Sequence, residues 1–211
     1  MGLDWLPGPK PRNGREAEYL ALKEALSRWF CWGRKSKEAR LEQLTVEPWE
    51  TLEAPLVGKD ERANEWARQN SESRKNRQLD MAGWLKQLEG LPVVELAGPS
   101  DGLPLYSNGG PGQYVGAESF RAQFLKDCAE IIGEETFNEA FVEMAPDECV
   151  AFGNMLEKKA RAFAEIRSID LSKVDECEDD GADEFRLGVV LAASRWCIFW
   201  GNKGQGMVPW F

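Results

Sequence analysis

The chain has 211 residues, 43% of them hydrophobic, enough to bury a core, and it carries 26 Lys and Arg against 36 Asp and Glu, a net charge of −10. It contains no histidine, which excludes Ser-His-Asp and Cys-His catalysis, histidine metal sites and the usual general base near neutral pH. The charge is uneven: residues 1–90 hold 16 Lys and Arg against 15 Asp and Glu, net +1, whereas residues 91–211 hold 10 against 21, net −11, an acidic half that argues against general nucleic-acid binding.

The start, Met1-Gly2-Leu3-Asp4-Trp5-Leu6-Pro7, has neither the basic residues nor the apolar run of a secretory leader, and Leu6 stands where a myristoylation motif needs Ser or Thr. No segment approaches the roughly 18 apolar residues of a membrane span. Five cysteines (Cys31, Cys128, Cys149, Cys177, Cys197) are scattered without a CxxC pair, which predicts reduced thiols and no zinc site. The expectation is a soluble cytoplasmic protein with no membrane association, no cofactor and no metal. Nine tryptophans predict a core built on large aromatics.

Residues 7–14, PGPKPRNG, read as a turn-rich lead. Tyr19, Leu22, Leu26, Trp29 and Phe30 then recur at spacings of three and four, the stripe of an amphipathic helix that Gly33 should stop. A short second helix is expected over 35–44. Pro48 and Pro55 break regular structure after it. Residues 61–66 are again helical in pattern. The run RQNSESRKNRQ, 68–78, has no apolar residue and holds Arg68, Arg74, Lys75 and Arg77 against Glu72. It reads as an exposed linker between an N-terminal helical part and the main body of a single domain spanning 1–211, or as a basic contact strip. Leu79, Met81, Trp84, Leu85 and Leu88 resume the helical pattern up to Gly90.

LPVVEL, 91–96, is the best strand candidate, and a small β-hairpin near 91–106 is the most β-structure expected. Further on, Phe120, Phe124, Cys128, Ile131 and Ile132 suggest one helical face ending at Gly133. Phe137 and Phe141 stand four apart. Pro146-Asp147-Glu148 makes a good first helical turn, running towards Ile166. Phe185, Val189, Ala193, Trp196 and Trp200 line a last helix that stops near Gly201. The predicted class is all-α or nearly so, with six to seven helices around one aromatic-rich core.

Three stretches invite a functional reading. DGLPLYSNGGPGQYVGAE, 101–118, places sixteen uncharged residues between Asp101 and Glu118. It fails as a phosphate loop: no Gly-Lys-Ser/Thr follows, the third glycine of G-x-G-x-x-G would fall at Val115, and Glu118 opposes an anion. Asp101, Tyr106, Asn108 and Tyr114 could hold a polar, uncharged ligand, in an enzyme or small-ligand binder that works without histidine. The alternative is a connection packed on the helices.

DECEDDGADE, 175–184, has seven carboxylates in ten residues. An EF-hand register with Gly181 at its sixth position puts Leu187 where a bidentate Glu is required, so calcium fails. Asp175, Glu178, Asp179 and Asp180 are the candidate contacts to a basic protein partner; a solvated loop capping the next helix is the plainer reading. The end, WCIFWGNKGQGMVPWF, carries Trp196, Phe199, Trp200, Trp210 and Phe211. It is expected to fold back on its own domain or to form a homo-oligomer interface. Taken together, these features predict a non-catalytic binding protein (inhibitor, adaptor or immunity-like) whose acidic half meets a basic partner, with no nucleic acid involved.

Overall fold

The computed structural model describes residues 3–28, 32–70, 80–97, 119–176, 179 and 181–211. In chain order the elements are β1 (Asp4–Pro7), β2 (Lys10–Pro11), α1 (Glu16–Ser27), α2 (Arg34–Leu44), β3 (Thr45–Val46), α3 (Pro48–Thr51), α4 (Glu61–Gln69), α5 (Met81–Gln87), α6 (Ala129–Ile132), α7 (Glu134–Glu139), α8 (Pro146–Arg167), α9 (Asp183–Asn202) and β4 (Met207–Trp210). Short 3₁₀ segments lie at Val94–Leu96, Ala122–Cys128 and Leu171–Glu176. The fold is mainly helical, as its 3.6-residue periodicities require.

The two long helices, α8 and α9, form the centre. Pro146 opens α8 with a preset φ, and the Glu148 carboxylate accepts from the Ala145 N–H at 2.8 Å, satisfying a donor that the first turn leaves open. The helices run antiparallel: Cys149, near the start of α8, donates its thiol to the Cys197 carbonyl near the end of α9 at 3.4 Å. They pack closely because Gly153 faces α9, where a Cβ would lie 2.9 Å from the Ser194 carbonyl oxygen. Ala160, Ala164 and Ala193 are buried along the same helices.

Trp5 anchors the aromatic core from β1. Its ring lies 5.2 Å from Phe120, 5.7 Å from Trp196 and 5.9 Å, edge-on, from Phe152. Its Nε1 donates to the Ala140 carbonyl at 2.9 Å, so the one polar atom of a fully buried side chain is satisfied. A second, smaller apolar cluster gathers Val57, Ala63, Ala67 and Val93, with Trp66, Leu85 and Leu88 packed against it.

The β-structure is not where the sequence pattern put it. Residues 91–96 form no strand: Pro92 makes one isolated bridge with Leu56, and Val94–Leu96 is a 3₁₀ turn. Pro92 lacks an N–H to continue a ladder, and residues 98–106 lie outside the described residues. Instead β1 pairs antiparallel with β4, Asp4 opposite Trp210 and Pro7 opposite Met207, and β2 pairs with β3. The C-terminal tail therefore folds back, with Met207 fully buried, while Trp210 and Phe211 remain exposed.

Among the described residues the α-helices number nine, more than the six or seven expected; α3 is opened by Pro48, where a break in regular structure was expected. The face expected from Phe120 to Ile132 is split into a 3₁₀ segment, Ala122–Cys128, and α6. At three residues per turn the i, i+4 register rotates off the core, so Leu125 is buried and Phe124 is exposed. At the other end, α1 stops at Ser27, and Gly33 directly precedes α2. Of the basic run at 68–78, Arg68 belongs to α4 and pairs with Glu61 and Glu65 at 2.6 and 3.1 Å; residues 71–78 lie outside the described residues.

Candidate functional site

The ligand residues singled out in the sequence, Asp101, Tyr106, Asn108 and Tyr114, lie outside the described residues, as do Glu178 and Asp180. Asp175 lies in the 3₁₀ segment Leu171–Glu176. Asp179 is exposed; its carboxylate accepts from the Gly181 N–H and its carbonyl from the Ala182 N–H, both at 3.0 Å, forming the turn that leads into α9. Asp183 then pairs with Arg186 and, at 3.8 Å, with Arg167. Asp179 and Asp183 are thus engaged at the start of α9.

A second acidic surface is better placed for contacts. Between Lys126 and Lys158 the chain has no cation but nine carboxylates: Asp127, Glu130, Glu134, Glu135, Glu139, Glu143, Asp147, Glu148 and Glu157. All are exposed except the half-buried Glu157. Glu130 pairs with Arg186, Glu143 with Lys23 and Glu157 with Arg161. Asp127, Glu134, Glu135, Glu139 and Asp147 form no ion pair with any described residue.

Within this surface α7, the corner at 140–145 and the first turns of α8 enclose a groove of about 430 Å³. Its apolar walls are Val142, Met144, Ala151, Phe152 and Met155, and its charged groups are Glu139, Glu143 and Glu148, with no cation among them. Apolar surface continues beyond it. Val142 is 56% exposed and Phe211 66% exposed, and Phe141 bridges Phe137 and Phe211 with ring centroids at 5.3 and 5.9 Å. Exposed aromatics ringed by charge are a common marker of contact surfaces.

Glu143 and Met144 also border a larger cavity of about 620 Å³, between α1, the glycines before β4 and the start of α8. There Lys23 Nζ donates to Glu143 Oε1 at 3.0 Å across 120 residues. That hydrogen bond raises the Lys23 pKa above its ordinary value, and burial raises that of the Tyr19 phenol. Both groups keep their protons near neutrality. Lys23 acts here as a hydrogen-bond donor; a lysine nucleophile or a phenolate base would need the opposite shift.

Two buried thiols, Cys128 and Cys197, are also held protonated. Cys128, Cys149 and Cys197 are free and buried. Burial pushes Cys128 from 9.0 up to about 12, with Asp127 adding to it, and burial also pushes Cys197 up. A thiol reagent near pH 8 should therefore modify none of these three in the folded protein and all three in denaturant; rapid labelling of any one under native conditions contradicts the packing. Because the folded-state pKa of Cys128 exceeds the unfolded value, its contribution is fully present below pH 9.0 and is lost as pH rises towards about 12. Stability should fall across that alkaline window.

Among the described residues no three His, Cys, Asp or Glu side chains converge as metal ligands would, and no helix is long and apolar enough to cross a membrane. No family model matches the chain, and no curated protein or solved structure is significantly similar to it.

The groove was not singled out by its residues in the sequence, although one signal was there. A stretch with nine carboxylates and no cation also contains Phe137, Phe141, Val142, Met144, Phe152 and Met155. The density of the run at 175–184 is greater, but it lacks this apolar content.

Proposed function

We propose that the protein is a non-catalytic binding protein, of the inhibitor, adaptor or immunity kind, that holds a basic protein partner on the acidic surface of its C-terminal half. The carrying observation is the cation-free run between Lys126 and Lys158, three of whose exposed carboxylates, Glu139, Glu143 and Glu148, line an apolar groove. Charge of one sign steers an oppositely charged partner and sets specificity, while the apolar groups supply affinity. A reducing cytoplasm is the setting that suits its free thiols.

The test is affinity capture from native lysate at low and high salt. It uses the wild type and a variant with Glu134, Glu135 and Glu139 changed to Gln and Asp147 changed to Asn. A basic protein should be captured at low salt, released at high salt and lost with the variant, whose circular dichroism should match the wild type. Capture indifferent to both salt and variant refutes the proposal. The other reading, a polar uncharged ligand held by Asp101, Tyr106, Asn108 and Tyr114, rests on the sequence alone.

A further inference from the structure

We infer that the groove beside Met144 receives a single helical segment of the basic partner, apolar residues on one face entering the groove and Lys or Arg on its flanks meeting Glu139, Glu143 and Glu148. This rests on the proposed function and names the part of the partner that docks.

Three observations select a helix. The first concerns strand addition, which needs an open sheet edge. Both edges of the β1–β4 sheet are covered at the core. Trp5 and Phe120 exchange N–H···O bonds at 2.7 and 3.0 Å, and Met144 and Met207 do so at 2.9 and 3.0 Å. An incoming strand would find these groups taken. The second concerns proline-rich ligands, which dock in slots between aromatic side chains. The groove is lined by no Trp or Tyr, and its single aromatic is Phe152.

The third is the character of the walls. Met144 and Met155 are unbranched, polarizable side chains that adapt to whatever enters, as methionine-lined helix-binding grooves do. Apolar side chains at i, i+3, i+4 and i+7 of a guest helix would enter between them, which puts its polar flanks against the carboxylates.

The molecule already shows an ammonium seated at the lip. Lys23 Nζ lies 3.0 Å from Glu143 Oε1, with both side chains more than half exposed. Such an exposed pair is weak, so a cation on the guest helix can take its place. Lys23 is then an internal competitor for the site.

The probe is a phage-displayed library of helical peptides, apolar at i, i+3, i+4 and i+7 and randomised elsewhere. It is selected on the full chain, and the winners are titrated against variants by fluorescence anisotropy. Selected peptides should carry Lys and Arg on both flanks. Ala151→Arg, at an exposed position of α8 that lines the groove, should weaken them at least about tenfold, the effect of a central contact. Lys23→Ala should tighten them by about two- to fivefold by freeing Glu143. Enrichment of acidic peptides, failure to enrich any peptide, or binding unchanged by Ala151→Arg overturns the helix-in-groove inference. If the partner captured from lysate still binds Ala151→Arg but is lost with the carboxylate variant, the acidic surface stands as the binding face and the groove is refuted. Loss of capture with neither variant refutes both.

Discussion

Replacing Trp5 by alanine lowers the melting temperature by about 6–20 °C. The indole is fully buried and packs on Phe120, Phe152 and Trp196, side chains brought from a loop, α8 and α9. Truncating a buried tryptophan costs about 3–5 kcal/mol, and each kcal/mol moves the melting point of a chain this size by roughly 2–4 °C. The loss has a polar component too: without Nε1, the Ala140 carbonyl keeps no indole donor. Trp5→Phe should recover part of the apolar contact and none of the hydrogen bond, so its melting point should fall between the two. Differential scanning calorimetry decides: a Trp5→Ala protein that melts with the wild type would mean that β1 does not anchor the core.

Gly206→Ala should destabilise the chain by about 1–3 kcal/mol or more, as forced overpacking does. A Cβ there would stand 2.0 Å from the Met144 carbonyl oxygen and 3.2 Å from the Ala145 carbonyl carbon. Both are backbone atoms and cannot rotate aside. To relieve the clash, the segment before β4 must move away from the corner at 140–145. That breaks the paired Met144–Met207 hydrogen bonds and loosens the tail. The expected result is a melting point lower by roughly 2–12 °C and earlier proteolytic trimming of the C-terminus. An unchanged melting point together with unchanged protease resistance would show that the tail does not dock against Met144. Since Met144 also lines the groove, the same variant should weaken any selected helical peptide.

Local patterns account for much of the helical structure. Pro146-Asp147-Glu148 announced the start of α8, and the stripe from Phe185 to Trp200 announced α9, with Val189, Ala193, Trp196 and Trp200 buried as the spacing required. These features were legible because capping and periodicity act over one or two turns. Where the turn type changes, the pattern misleads: a face assumed to repeat every 3.6 residues put Phe124 in the core, and the 3₁₀ segment turned it outwards. The candidate strand at 91–96 misled similarly, since β-branched residues bounded by Gly and Pro suit a buried 3₁₀ turn as well as a strand.

The acidic character of the C-terminal half, the lack of histidine chemistry and the two central helices follow from the sequence by itself, because each depends on composition or on neighbours within a few residues. Only the tertiary structure decided that Trp5 lies opposite Pro209, that Lys23 reaches Glu143 and that Met144, Met155 and three carboxylates share one groove. Those partners are separated by as many as 204 positions in the chain, from Trp5 to Pro209. Their meeting depends on which complementary surfaces bury the most apolar area together, a property of the whole fold that no short stretch of residues encodes.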